Sequence, residues 1–343
     1  MRSLAVKYRP QTFEEICGQC SIVKILDRQL ETNKIKNCYL FCGPSGTGKT
    51  TIARALAKRI NNNRGTPIEI DAASNNSVDN VRNIIEEANT RALDAEYKIF
   101  ILDEVHMLTI QGWNAFLKTI EEPPEKTIFM FCTTNPEKIP ATIQNRVMKF
   151  NLSKVPTKEI KDRLLYICKN EGFKDYEESC DYIAKISDGG ARDAIASLDK
   201  VADYSDSITI ENTLNILGNY SYDDFITLTN ALIDSMCDIK NEKTVLNILE
   251  NIDNSGKNMK NFVDQYISFI LDLIKYILFK DMNSTKLPLS LEEKVKYAVS
   301  FDGNLNIFNK MIDSLLTLKN NIRYDNNPTL NIKATFLKIA RGE

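Results

Sequence analysis

The chain has 343 residues, with 44 Lys and Arg against 46 Asp and Glu and a formal net charge of −2 at pH 7. That balance excludes a uniformly basic nucleic-acid coat but leaves room for a local basic groove, because only the contact face matters. With 43% hydrophobic residues, the length suggests two or three domains, each able to bury a core.

The N-terminal MRSLAVKYRP has no apolar stretch of the signal-peptide kind. Lys7-Tyr-Arg-Pro10 precedes Phe13-Glu-Glu-Ile16, and a helix is expected from about Ser21, with Ser21 as its N-cap. Cys17-Gly-Gln-Cys20 is a CxxC, but no second ligand pair stands at zinc spacing, so coincidence is the better reading. The other cysteines, Cys42, Cys132 and Cys168 among them, lie mostly inside apolar runs, as buried thiols do in a reducing cytoplasm.

Tyr39-Leu-Phe-Cys42 reads as a buried strand, and Ile52–Lys58 as a helix. Asn61–Gly65 is a loop by composition, and Pro67–Asp71 is a strand. Ser74–Ser77 caps a helix carrying Val81, Ile84, Ile85 and Ala88 at helical spacing. Lys98–Asp103 is another strand, followed by Glu104 and then a helix from Gly112 to Glu122, which Pro123-Pro124 stops. Trp113 and Phe116 on that helix read as core. Thr127–Thr133 and Val147–Leu152 complete the strands. Continuous apolar strands alternating with helices predict a parallel sheet covered on both faces, with polar residues at the strand C-termini where such sheets bind ligands.

Past Pro156 the strand signals cease. Residues 157–217 predict three or four helices with a turn at Ser187-Asp-Gly-Gly190, and from Asn219 onward the pattern is again helical. The apolar run Phe269–Phe279 is broken by Asp272 and Lys275, which predicts a buried helix rather than a membrane span.

Between the first strand and its helix stand Gly43, Pro44, Ser45, Gly46, Thr47, Gly48, Lys49 and Thr50, with Thr51 following. Strand, glycine loop and helix in that order is the context of a P-loop. Its backbone N–H groups and helix dipole cradle phosphates, Lys49 reaches the β- and γ-phosphates, and the Thr50 hydroxyl holds Mg²⁺. Asp103 and Glu104 end a hydrophobic strand some 50 residues later. Asp103 there can bind Mg²⁺ directly or through water and Glu104 can polarise the attacking water, a pairing expected of a hydrolase that works by phosphoryl transfer. Thr134 and Asn135 are candidates to orient that water, and Arg192 or Arg146 to reach the phosphates. Spacing alone assigns neither arginine. His106 is the lone histidine, so it makes no metal site; packing or a hydrogen bond near the strand end is its expected role. Arg82, Arg91 and Lys118 are phosphate candidates that individually read as solvated helix faces.

Taken as an ordered set, Tyr8-Arg-Pro10 with Phe13 and Gly18-Gln19, Gly43–Thr50, Ile70–Asn76, Asp103-Glu-Val-His-Met-Leu108, Asn114–Pro124 and Lys138–Ile143 resemble the bacterial DNA polymerase III gamma/tau subunits and, less closely, replication factor C small subunits. Both are AAA+ sliding-clamp loaders. The resemblance is dense over residues 1–200 and faint but compatible beyond. It implies α/β plus all-α architecture: an AAA+ P-loop domain over 1–155, a helical lid over 156–217 and a helical collar over 218–343. It also implies that Thr133–Asn135 is sensor 1 and that Arg192, in Gly190-Ala-Arg-Asp193, is a sensor 2 contacting the chain's own nucleotide. Arg146 matches the finger that completes a neighbour's site. Tyr8, Arg9, Pro10, Ile16 and Cys17 match the adenine-side wall. The implied cofactors are ATP and Mg²⁺. The implied partners are other loader subunits in a pentamer, a sliding clamp and primer–template DNA in the cytoplasm, with no membrane. DNA would meet helix starts near Asn75–Arg82 and Thr109–Gly112, with Arg82 and Gln111 as candidate contacts.

Three departures stand out. The family's four-cysteine zinc module is missing, with only Asn61–Thr66 in its place. The finger motif reads Asn145-Arg146-Val147, without its flanking Ser and Cys. The chain ends near residue 343 without the long tau tail. Together they suggest a minimal, divergent loader from a phage or an unusual bacterium. A rival reading is an ATP-binding scaffold subunit with little turnover. A branch-migration or initiator motor would share the P-loop but not the Asn114–Pro124 segment.

Overall fold

The computed structural model describes residues 3–237, 241–300, 304–325 and 327–342. The chain divides into two compact units, one of residues 1–170 and 183–199, the other of 171–182 and 200–343.

In the first unit five strands form one parallel sheet: β1 (Cys38–Cys42), β2 (Ile68–Asp71), β3 (Lys98–Asp103), β4 (Thr127–Thr133) and β5 (Met148–Asn151), in the order β2-β3-β4-β1-β5. The central strands are the longest and are buried along nearly their whole length, whereas the two edge strands have four residues each and alternate with solvent. Side chains alternate across a strand, so an unbroken apolar run fills two cores. On one face Tyr39, Phe41, Ile99, Ile101 and Met130 meet Ile52 and Leu56 of α3 (Lys49–Ile60), with α2 (Cys20–Glu31) beyond; α1 (Leu4–Lys7) precedes both. On the other face Leu40, Phe100, Leu102, Phe129 and Phe131 meet α4 (Val78–Ala88) and α5 (Ile110–Glu121). Trp113 and Phe116 of α5 are fully buried there, edge-on to Phe131, as core residues. A short α6 (Ala141–Gln144) leads into β5, and α7 (Thr157–Glu171), α8 (Glu177–Ile186) and α9 (Ala191–Ala202) follow.

Two helix starts differ from the sequence expectation. α2 begins at Cys20, not after Ser21, and its N-cap is Gln19 in the left-handed region, φ 59°. The Gln19 side chain instead ties the segment to the strand-end loop, donating to Ser153 O at 2.7 Å and accepting from Ser153 N at 3.3 Å. α5 begins two residues earlier than Gly112, because Thr109 caps it by accepting from Gly112 N. Ser77 caps α4 as expected, accepting from Asn80 N at 3.2 Å.

The second unit is helical: α10 (Ile210–Ile216), α11 (Tyr222–Cys237), α12 (Glu242–Asn254), α13 (Met259–Phe279), α14 (Glu292–Ala298), α15 (Asn304–Ile322) and α16 (Pro328–Ala340). α13 is its spine. Phe262, Tyr266 and Phe269 of α13 pack edge-on or tilted against Tyr220, Phe225 and Phe336, with ring centroids as close as 5.1 Å. The Tyr266 hydroxyl shares a 2.8 Å hydrogen bond with Thr229, so its burial leaves no orphaned polar group. Asp272, the residue that broke the apolar run, is buried and paired with Lys275 one turn on, at 2.8 Å. Among the described residues no helix is long and apolar enough to cross a membrane.

Candidate active site

β1 ends at Cys42, and the chain turns through Gly43–Gly48 before α3 starts at Lys49. The turn needs bare backbone: a Cβ on Gly43 would stand 2.7 Å from Leu152 O, and one on Gly46 would stand 3.0 Å from Gly190 Cα. Gly48, at φ 97°, is the N-cap of α3 and brings no side chain to the helix N-terminus. The first amides of α3 are thereby left available to an anion. Lys49 is buried, and its ammonium donates to Gly43 O and Pro44 O, both at 3.0 Å, lying over the loop it follows. Thr47 braces the turn by donating to Pro44 O at 2.9 Å. Pro44 and Ser45 are exposed, and Thr51 is half-buried in the first turn of α3.

The neighbouring strand ends supply the acids. Thr50 Oγ1 donates to Asp103 Oδ2 at 2.9 Å, so the P-loop hydroxyl and the β3 carboxylate are side by side. Asp103 Oδ1 accepts from Glu104 N at 3.0 Å. Glu104 adopts φ 48°, ψ 42°, a left-handed conformation that costs a non-glycine residue. β4 pairs with β1 so that Thr133 lies opposite Cys42. The next residue, Thr134, therefore reaches the site and gives Glu104 Oε2 its hydroxyl at 3.1 Å and its amide at 3.4 Å. Asn135 caps the following turn, its amide donating to Thr133 Oγ1 at 3.0 Å.

Arginines crowd the same end of the sheet. The Arg9 pKa is lowered by burial first and then by the nearby charges of Arg54 and Arg192, against the opposing pull of Glu69 and Asp103. Like charges gathered without enough acid to neutralise them favour an anion between them. Arg192 is exposed in the first turn of α9, beside the Gly190 that touches Gly46. Arg54 escaped the sequence reading. It sits on α3 one turn past the P-loop, pairs with Glu69, and keeps a buried Nε without a partner.

The wall segments converge on α7. Arg163 donates to Tyr8 O at 2.8 Å, the Tyr8 ring packs edge-on to Tyr166, and Glu159 accepts from Gly18 N. Pro10, Ile16 and Cys17 are half-buried alongside, and burial pushes the Cys17 thiol pKa up.

Arg146 stands apart. It lies exposed between α6 and β5, its Nε 2.6 Å from Glu121 Oε1 and its guanidinium donating to Thr142 O at 2.7 Å. Arg82 is exposed on α4 and paired with Asp79 at 3.3 Å; Gln111 is exposed at the start of α5. The two helix starts adjoin, since a Cβ on Gly112 would touch Val81 Cγ2 at 3.4 Å.

A family model described as DNA polymerase III, delta subunit, matches residues 66–156. Among curated relatives, the DNA polymerase III subunit tau of Bacillus subtilis is 33% identical over 97% of this chain and 62% of its own length. The subunit gamma/tau of Mycoplasma genitalium is 35% identical over 81% of this chain and 49% of its own. The subunit gamma of Buchnera aphidicola is 33% identical over 78% of each. The chain thus spans about half to two thirds of the first two. Among solved structures, Thermotoga maritima RuvB, described as a Holliday junction branch migration motor, superposes with a TM-score of 0.52 at 21% identity, over 64% of this chain and 78% of that one. That likeness concerns the AAA+ fold alone.

Proposed function

The chain belongs to the DNA polymerase III gamma/tau subunit family, and from that premise we propose that it is the ATP-hydrolysing subunit of a sliding-clamp loader. One observation carries the reading: Lys49 lies over the glycine loop while the Thr50 hydroxyl and the Asp103 carboxylate meet at 2.9 Å, with Glu104 next in the chain.

In this reading the amides of Gly46–Thr50 and the Lys49 ammonium hold the ATP phosphates. Thr51, Pro44 and Ser45 line the loop, and Tyr8, Arg9, Pro10, Ile16 and Cys17 enclose the base. The hydroxyl of Thr50 and the carboxylate of Asp103 are oxygen donors that fit a hard cation. Bound there, Mg²⁺ neutralises charge on the phosphate oxygens. Glu104 polarises the attacking water, Thr134 and Asn135 orient it, and Arg192 contacts the γ-phosphate of the chain's own nucleotide. Arg146 leaves Glu121 to complete the site of a neighbouring chain, the kind of contact worth about 10³–10⁵ in rate in GTPases. Residues 1–155 act as the P-loop domain, 156–217 as the lid and 218–343 as the collar of a pentamer. The partners are other loader subunits, a clamp and primer–template DNA. Arg82 and Gln111, on adjoining helix starts, touch DNA phosphates.

Steady-state ATP turnover with loader subunits, clamp and primed DNA tests this. Stimulation by clamp and DNA, together with a loss of about 10²–10⁴-fold in Glu104→Gln, is expected. Unstimulated turnover, or a fully active Glu104→Gln protein, counts against it. The tie of Arg146 to Glu121 within its own chain favours one rival, an ATP-binding scaffold with little turnover of its own. Mixing Arg146→Ala with wild-type chains separates the two, because a scaffold loses no hydrolysis.

A further inference from the structure

His106 was expected only to pack or to bond near the strand end. Its side chain is 11% exposed, and Nδ1 lies 3.2 Å from Glu104 Oε2. The same nitrogen is 3.3 Å from Thr133 Oγ1. An ionised carboxylate can only accept, so Nδ1 serves Glu104 in the tautomer that carries its hydrogen there, and accepts from the Thr133 hydroxyl in the other. Thr134 adds its hydroxyl at 3.1 Å and its amide at 3.4 Å to Glu104 Oε2. Thr134 therefore donates twice to Oε2, with His106 Nδ1 3.2 Å from the same oxygen, and among the described residues no hydrogen bond reaches Oε1.

The nearly buried ring places Nδ1 within reach of both the Glu104 carboxylate and the Thr133 hydroxyl. We propose that His106 is a positioning residue for Glu104: its Nδ1–H, acting with Thr134, pins Oε2 and leaves Oε1 as the oxygen presented to water. The proposal rests on Glu104 being the water-polarising group. His106 itself touches neither nucleotide nor water and moves no proton. Its effect runs through the orientation of Glu104, so it belongs to turnover and not to nucleotide affinity.

The test compares His106→Phe, which removes the donor, with His106→Asn, whose amide nitrogen falls near the position of Nδ1. Each is made as the full chain, alone and combined with Glu104→Gln. Single-turnover ATP hydrolysis and equilibrium binding of a non-hydrolysable ATP analogue are the readouts. Loss of one hydrogen bond to a charged group predicts that His106→Phe turns over roughly ten- to a hundredfold more slowly, with analogue affinity held within about twofold. His106→Asn recovers most of the rate, and adding His106→Phe to Glu104→Gln changes nothing further, as expected of residues acting as one unit. If His106→Phe lowers the melting temperature, His106→Gln takes its place, since its amide reaches the Nε2 position instead. Wild-type turnover in His106→Phe, no recovery in His106→Asn, or an undiminished effect in the Glu104→Gln background overturns the proposal. Wild-type turnover in Glu104→Gln alone overturns the reading of Glu104 itself, a failure distinguishable from that of His106.

Discussion

The two units spend their unusual residues differently. In the sheet unit, the strand C-termini carry a left-handed Glu104, a buried lysine over the P-loop and a cluster of arginines with too little acid to match it. In the helical unit, α13 gathers aromatic rings from α11 and α16, and its polar exceptions, Tyr266 and Asp272, are both paired. The strand ends of the sheet unit gather charged and polar groups, whereas the helical core is mainly aromatic and aliphatic, with the buried Tyr220 hydroxyl left without a partner. The lesson is that charge gathered at the strand ends sets one unit apart, whereas aromatic packing holds the other together.

That contrast is open to direct attack. The largest expected effect is in the helical core. Phe262→Ala removes a fully buried ring that packs on Tyr220, Phe225, Tyr266 and Phe336, and such deletions cost about 3–5 kcal/mol. Urea unfolding should report that loss, while ATP-analogue affinity under native conditions stays put. Gly43→Ala should do the reverse. Its Cβ would stand 2.7 Å from Leu152 O, so the loop must shift at a cost of roughly 1–3 kcal/mol. Isothermal titration should show nucleotide affinity falling more than the unfolding midpoint does. If Phe262→Ala weakened nucleotide binding as much as Gly43→Ala, the division of labour between the units would be wrong.

The smallest effect sharpens the picture inside the sheet. Cys38, Cys42 and Cys132 are buried in strands and burial raises their pKa values, that of Cys38 to about 12, whereas Cys20 is exposed. A thiol whose pKa is raised stays protonated, and so unreactive, as pH climbs through 8 and 9. Iodoacetamide mapped by mass spectrometry should therefore label the exposed Cys20 in the native protein, while Cys38 and Cys132 stay unlabelled until it unfolds. Labelling of Cys132 in the native protein at pH 8 would mean that the central strands open.

The three central strands were legible in the sequence because a strand covered on both faces must be apolar without interruption, as Thr127–Thr133 is, whereas the edge strands showed as short alternating runs. The P-loop was legible because its glycines, Lys49 and Thr50 are adjacent in the chain and bond to one another's neighbours. What escaped depends on residues far apart in sequence. Glu121 meets Arg146 only after β4 and α6 have folded between them, and Arg54 meets Glu69 only once α3 and β2 are side by side. The start of α5 was misplaced because Ile110, at 71% exposure, is apolar yet outside the core, which breaks the periodicity a helix start is read from. The Ser21 cap failed for a different reason: Gln19 adopts a left-handed turn to reach Ser153, and no short-range pattern announces a side chain recruited by a distant loop.

The brevity of β2 and β5 has a consequence of its own. Four residues offer too short a ribbon of free amides and carbonyls for another chain to zip onto, a safeguard against fibrous growth. In the proposed assembly, neighbours would then be joined by side chains and helix tips, leaving each member's sheet to itself.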